Sequence, residues 1–269
     1  MTVSQVLSAA RLIRPTRRRG FCPACRGWAP GSADRSGAQS EISPPALIAL
    51  VFLALAAAAW AWTIRQSTSA DEMEMGLGSI GSFAAGWTVM MAAMMLPSAL
   101  PLVYEFARRS EGRRRWQAAT GVLAATYLAI WLGFGLVCYV VLKAFPVPPS
   151  DQGAVGGLAL ALAGLYGLTP IKGASEARCR ELCSLHGPLP FGVVRSGLIT
   201  GARYGLSCLG CSAGLMVALA VIGMSNLVWM LILGGLVLIY KLAPAPSLRR
   251  TWSLSVGLIA MAVVYASMV

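Results

Sequence analysis

Seven apolar runs, joined by connections whose positive charge falls almost wholly on alternate sides, leave this chain few ways to fold. The runs cover residues 46–64, 82–104, 118–144, 153–169, 205–224, 227–242 and 252–268. A hydrocarbon core of ~30 Å needs roughly 17–25 helical residues, so each run reads as a span. Backbone groups without water must pair inside their own segment, which selects helices. The ten-residue dyad alternation of a membrane barrel is not seen in the sequence. Of the 22 Lys and Arg residues, 20 lie in the N-terminal stretch, in the connections 105–117 and 170–204, or at Lys241, Arg249 and Arg250. Only Arg65 and Lys143 fall elsewhere. The positive-inside rule makes the basic side cytoplasmic. The expected fold is therefore an all-α, polytopic transmembrane helical bundle of about seven spans, with a cytoplasmic N-terminus and an outer C-terminus.

Composition agrees. Hydrophobic residues make up 57% and the mean hydropathy is +0.69, too apolar for a soluble globule of this length. The net charge of +12 does not point to nucleic acid, because it sits in short connections that set topology and face anionic lipid headgroups. The bilayer is the expected partner. Residues 1–45 form a separate basic tail, rich in Arg, Ser, Pro and Gly, and are expected to be largely disordered. Arg17, Arg18 and Arg19 look superficially like an export signal, but no apolar stretch follows until Ala46. The first run is read as a retained helix, and residues 46–269 as the transmembrane domain.

Soft ligands gather at particular depths. Cys208 and Cys211 are three apart at the start of the fifth run, so they share a helix face. Such a pair suits a linear two-thiolate Cu(I) site or half of a tetrahedral zinc site, and it equally suits ordinary burial of small apolar side chains. Cys179, Cys183 and His186 offer three more ligands in a polar cytoplasmic connection, where two exposed thiols have little packing reason to be. The connection is long enough to fold back, so Cys179 and Cys183 are expected to approach Cys208 and Cys211. The spacing is wider than in common zinc ribbons. Cys22 and Cys25 form a weaker pair in the tail, and Cys138 is assigned to packing.

Met90, Met91, Met94 and Met95 crowd the middle of the second run, just before Pro97 and Pro101. Thioethers bind Cu(I) without adding charge, which suits a low-dielectric core. Met91, Met94 and Met95 fall on one helical stripe with Trp87 and Ser98, and that stripe is expected to face the bundle. Pro97 is expected to open the turn near Ala93. Met73 and Met75, with Asp71, Glu72 and Glu74, form an outer patch. Met also fills irregular gaps beside prolines, so depth order is the stronger signal: outer Met and carboxylate, middle Met, inner Cys.

The run Gly86-Trp87-Thr88-Val89-Met90-Met91-Ala92-Ala93-Met94-Met95-Leu96-Pro97 resembles the signature of a bacterial family described as predicted metal-binding integral membrane proteins, some labelled copper chaperones. The likeness continues at Tyr166 to Lys172, at Cys179 and Cys183, and along Gly201, Gly205, Cys208, Gly210 and Cys211. It ends around Asn226, Trp229 and Lys241, covering residues 46–243. The chain departs from that pattern at Ser212, Ser225 and Tyr240, where the family has Cys, Met and an acidic residue. The resemblance implies a multi-pass protein of the bacterial inner membrane that handles a soft metal.

The expected function is non-enzymatic: binding or passing on a soft metal, copper(I) ahead of zinc, in exchange with a donor or acceptor protein. The expected ligands are Cys208, Cys211, Cys179, Cys183, His186, Met91, Met94 and Met95. With no Gly-rich phosphate loop, neither a nucleotide nor an organic cofactor is expected. A membrane thiol–disulfide carrier using Cys208 and Cys211 is the alternative, but its only outer-face thiol, Cys138, has no mate. A scaffold with incidental cysteines is the remaining possibility.

Overall fold

The computed structural model describes residues 44–68, 79–183, 192–222, 227–242 and 248–268. Among these residues the chain is all helical. Its α-helices are α1 Pro44–Thr68, α2 Ile80–Ser110, α3 Trp116–Ala144, α4 Gln152–Gly167, α5 Pro170–Cys183, α6 Val193–Ile222, α7 Leu227–Leu242 and α8 Leu248–Met268, with a 3-10 turn at Pro149–Asp151. Local signals explain the ends. The Ser79 hydroxyl caps α2 by accepting from the Ser82 backbone N–H at 3.2 Å. Thr169 does the same for α5, accepting from Lys172 N–H at 3.4 Å, and Pro170 takes the first helical position, where no N–H is missed.

Four helices, α1, α2, α3 and α6, are long and apolar enough to cross a membrane. The pair α4 and α5 passes that test together, although bent by 67° at its break. The apolar parts of α7 and α8, Val228–Ile239 and Thr251–Ser267, are shorter. The chain is thus a helical membrane protein. Among the described residues each of the seven apolar runs falls mainly on a helix, but length alone makes spans of only four or five. Exposed Leu47, Leu50, Val137, Val140, Val141 and Phe145 give the bundle the apolar exterior that lipid requires.

Two features differ from the sequence reading. The connection 170–204, expected as a polar loop, forms α5 and the first three turns of α6. Arg195, Ser196 and Arg203 interrupt the apolar run there without interrupting the helix. Helix α6 therefore begins at Val193, and Cys208 lies near its midpoint rather than one to two turns inside its mouth. Helix α2 runs on through Pro97 and Pro101 as one element.

Helices α2 and α6 form the centre. Helix α6 packs on α3, α4, α5 and α7, and α2 on α1, α3, α5 and α7, while α8 lies along α4. The closest approach is α6 to α3. Gly197 and Gly201 lie against the Ala119 and Leu123 carbonyls, so a Cβ at either would strike backbone. Small residues spaced by four bring membrane helices close in this way. Since 197 pairs with 119 and 201 with 123, α3 and α6 run parallel. Tyr204 on α6 reaches Ser98 on α2, and Gly197 meets Phe106, so α2 is antiparallel to both. Contacts of Tyr166 with Gly210 and Ala163 with Gly214, and of Gly156 and Gly164 with Tyr265 and Ile259, make α4 antiparallel to α6 and to α8.

Candidate metal centre

Helix α2 carries the methionines inward. Met90, Met91, Met94 and Met95 are all buried, none more than 4% exposed. The stripe is fixed at both ends. Above, Trp87 Nε1 donates to the Trp131 carbonyl on α3 at 2.8 Å, and its ring fills the space that Gly135 leaves open. Below, the Ser98 carbonyl accepts from the Tyr204 hydroxyl on α6 at 3.2 Å. Met91 and Met95, one and two turns from Trp87, therefore lie on the face turned toward α3 and α6. Met94 turns toward α7, where a Cβ at Gly234 would sit 2.8 Å from its methyl.

Cys208 is fully buried, and its sulfur lies 3.1 Å from the Tyr127 hydroxyl on α3, within hydrogen-bond reach. The Tyr127 and Tyr204 rings pack at 5.5 Å. Cys179, Cys183 and Cys208 all lie near enough to the Tyr204 hydroxyl to interact with it electrostatically. Helix α5 packs along α6, and its Cys179 belongs to the same buried cluster as Cys208. The two α5 thiols are not exposed, as the loop reading had them: Cys179 is buried and Cys183 half-buried. Helix α5 turns one face, with Cys179 and Glu176, onto the bundle. Glu176 is paired there with Arg180 at 2.9 Å and Lys172 at 3.7 Å.

Cys211 has other company. Its thiol donates to the Cys208 carbonyl at 3.1 Å. It lines a cavity of about 40 Å³ with Tyr166, Lys172, Ser212, Thr251 and Ser255, between α4, α5, α6, α7 and α8. Tyr166 donates to the Gly210 carbonyl at 2.5 Å, and Ser212 to the Cys208 carbonyl at 2.7 Å. The first ties α4 to α6 between the two cysteines, and the second lies within α6 itself.

His186, Cys22, Cys25, Met73 and Met75 lie outside the described residues. Among the described residues, no group of three or more His, Cys, Asp or Glu side chains is arranged to hold a metal ion. Sulfur is the donor available: buried thiols and thioethers, which select Cu(I) over harder ions. The sequence reading missed Tyr127, Tyr204 and Trp131, all fully buried at the centre. Their polar atoms, set within otherwise apolar helices, are the signal that was there to use.

A family model described as PpoB2, copper chaperone, matches residues 84–265, from the first turns of α2 into the last turns of α8. No curated protein and no solved structure matches the chain.

Proposed function

The chain belongs to the PpoB2 copper chaperone family, and on that premise we propose that it binds Cu(I) within the bacterial inner membrane and hands the ion to a partner protein. The buried methionine face of α2 carries the reading. Four thioethers within six residues, all shielded from water, suit a soft monovalent ion and no hard one. The ligands would be drawn from the sulfurs of Met91, Met94, Met95, Cys208, Cys211, Cys179 and Cys183, with His186 as a further candidate. The role is one of transfer rather than catalysis. Copper is the cargo, and zinc is the weaker choice because it does not favour thioethers. Transfer from the mid-membrane sulfurs to the thiols of α5, which become thiolates on binding, would draw the ion toward the cytoplasmic side.

The test is copper content. Detergent-purified full-length protein from copper-fed cells should retain copper through gel filtration. The Cys208→Ser/Cys211→Ser double variant should retain far less, with its helical circular dichroism unchanged. Wild-type protein carrying no more copper than an unrelated membrane protein would end this reading.

A further inference from the structure

The pool of sulfurs does not form one site. We infer that Cys208, Met91 and Met95 make a single mid-membrane Cu(I) site in the wedge between α2, α3 and α6, and that Cys211 lies outside it. The inference rests on the copper reading and names the ligands of one site within it.

Register brings the three together. Helices α2 and α6 run antiparallel, and Tyr204 meets the Ser98 carbonyl. One turn onward on α6 is Cys208; one turn back on α2 is Met95, with Met91 a turn beyond. The Tyr127 hydroxyl closes the third side against the Cys208 sulfur at 3.1 Å. Met91, Met95, Cys208, Tyr127 and Tyr204 are each at most 1% exposed and belong to one contiguous buried cluster. Trp131, one turn from Tyr127, is buried beside them, and its indole N–H has no hydrogen-bond partner. Native interiors leave few such groups unsatisfied.

Charge decides between this set and a Cys208–Cys211 dithiolate. Cys208 sits near the midpoint of a 30-residue helix, and Met91 and Met95 near the middle of one of 31 residues. Unbalanced charge at that depth is costly. Cu(I) with one thiolate and two neutral thioethers is neutral overall, whereas Cu(I) with two thiolates leaves a buried negative charge. Delivery from a thiolate carrier also balances: carrier S–Cu and Cys208 S–H become Cys208 S–Cu and carrier S–H, with no oxidant and no charge left behind. Cys211 meanwhile turns its thiol to its own helix carbonyl and to the cavity with Lys172 and Tyr166.

The experiment compares full-length Cys208→Ser, Met91→Leu/Met95→Leu, their combination, and Cys211→Ser. Each is titrated anaerobically with Cu(I) against a chromophoric chelator, below one equivalent, alongside copper X-ray absorption. Cys208→Ser and the methionine pair should each weaken binding roughly tenfold or more, a loss of ~1.4 kcal/mol. The combination should be little worse than either alone, because the ligands share one site. Cys211→Ser should bind as wild type does, with an unchanged copper–sulfur spectrum. Equal losses for Cys208→Ser and Cys211→Ser, with a silent methionine pair, would overturn the inference and leave the copper reading standing. Wild-type protein that takes up no Cu(I) would overturn both. If Cys208→Ser does not fold, the near-isosteric methionine pair set against Cys211→Ser still decides.

Discussion

Two buried tyrosine hydroxyls hold the centre of the bundle, and they do different work. Tyr204 ties α6 to α2 through the Ser98 carbonyl, close to the carbonyls that Pro97 and Pro101 deprive of helical donors. Tyr127 points at a sulfur instead. Interhelical hydrogen bonds in membranes average ~0.6 kcal/mol and reach ~1.7 at most. Tyr204→Phe should therefore lower stability by roughly that amount in a detergent-unfolding titration, while leaving bound copper in place. Tyr127→Phe should cost less in stability and should alter the copper–sulfur absorption spectrum, since it removes the group beside the ligand. A Tyr204→Phe protein that loses its copper would make that tyrosine part of the site. At this scale the methionine face was legible in the sequence, because a helix fixes which residues share a stripe with Trp87 and Ser98. The depth of Cys208 was not. It depends on where α6 begins, and Arg195 and Arg203 hide that beginning from any count of apolar residues.

Among the elements, α6 depends most on having no side chains where it meets α3. A Cβ at Gly201 would strike the Leu123 carbonyl, and backbone cannot rotate aside as a side chain tip can. Gly201→Ala should cost about 1–3 kcal/mol, the usual range for overpacking. Gly121→Ala on α3, with nothing within 4 Å of the added carbon, should instead be neutral or gain roughly 0.5–1 kcal/mol by stiffening the helix. Thermal midpoints of the two purified variants make the comparison, and equal shifts would remove the close α3–α6 approach from the account. Helix α5 teaches the opposite lesson. Its sequence is too polar to look buried, yet Glu176 pairs with both Lys172 and Arg180 at four-residue spacing. That pairing lets its Glu176 and Cys179 face pack on α6 and α2. Polarity was read as loop where it was the means of packing a charged helix.

Direction decides how the whole molecule crosses the bilayer. Because α4 runs antiparallel to α6 and ends beside Gly210, near the middle of α6, α5 carries the chain on toward the end where α6 begins, and α4 and α5 together count as one crossing. Because α8 is antiparallel to α4, it runs parallel to α6, so the chain from the end of α6 to the start of α8 must return across the bundle. Helix α7 is the segment available, although its 16 residues reach only about 24 Å at 1.5 Å per residue. Local thinning of the bilayer accommodates such a deficit at fractions of a kcal/mol per Å. The expected outcome is seven crossings, with α7 the shortest. Reporter fusions at Arg113 should report the cytoplasmic side, and those at Asp151 and Val269 the outer side. If α7 were instead a surface helix, the Val269 fusion would report the same side as Arg113. Lengthening α7 by one apolar turn offers a second reading of the same question: a crossing helix short of the core should gain thermal stability in bilayers of ordinary thickness, whereas a surface helix should lose it as its contact with α2 slips out of register.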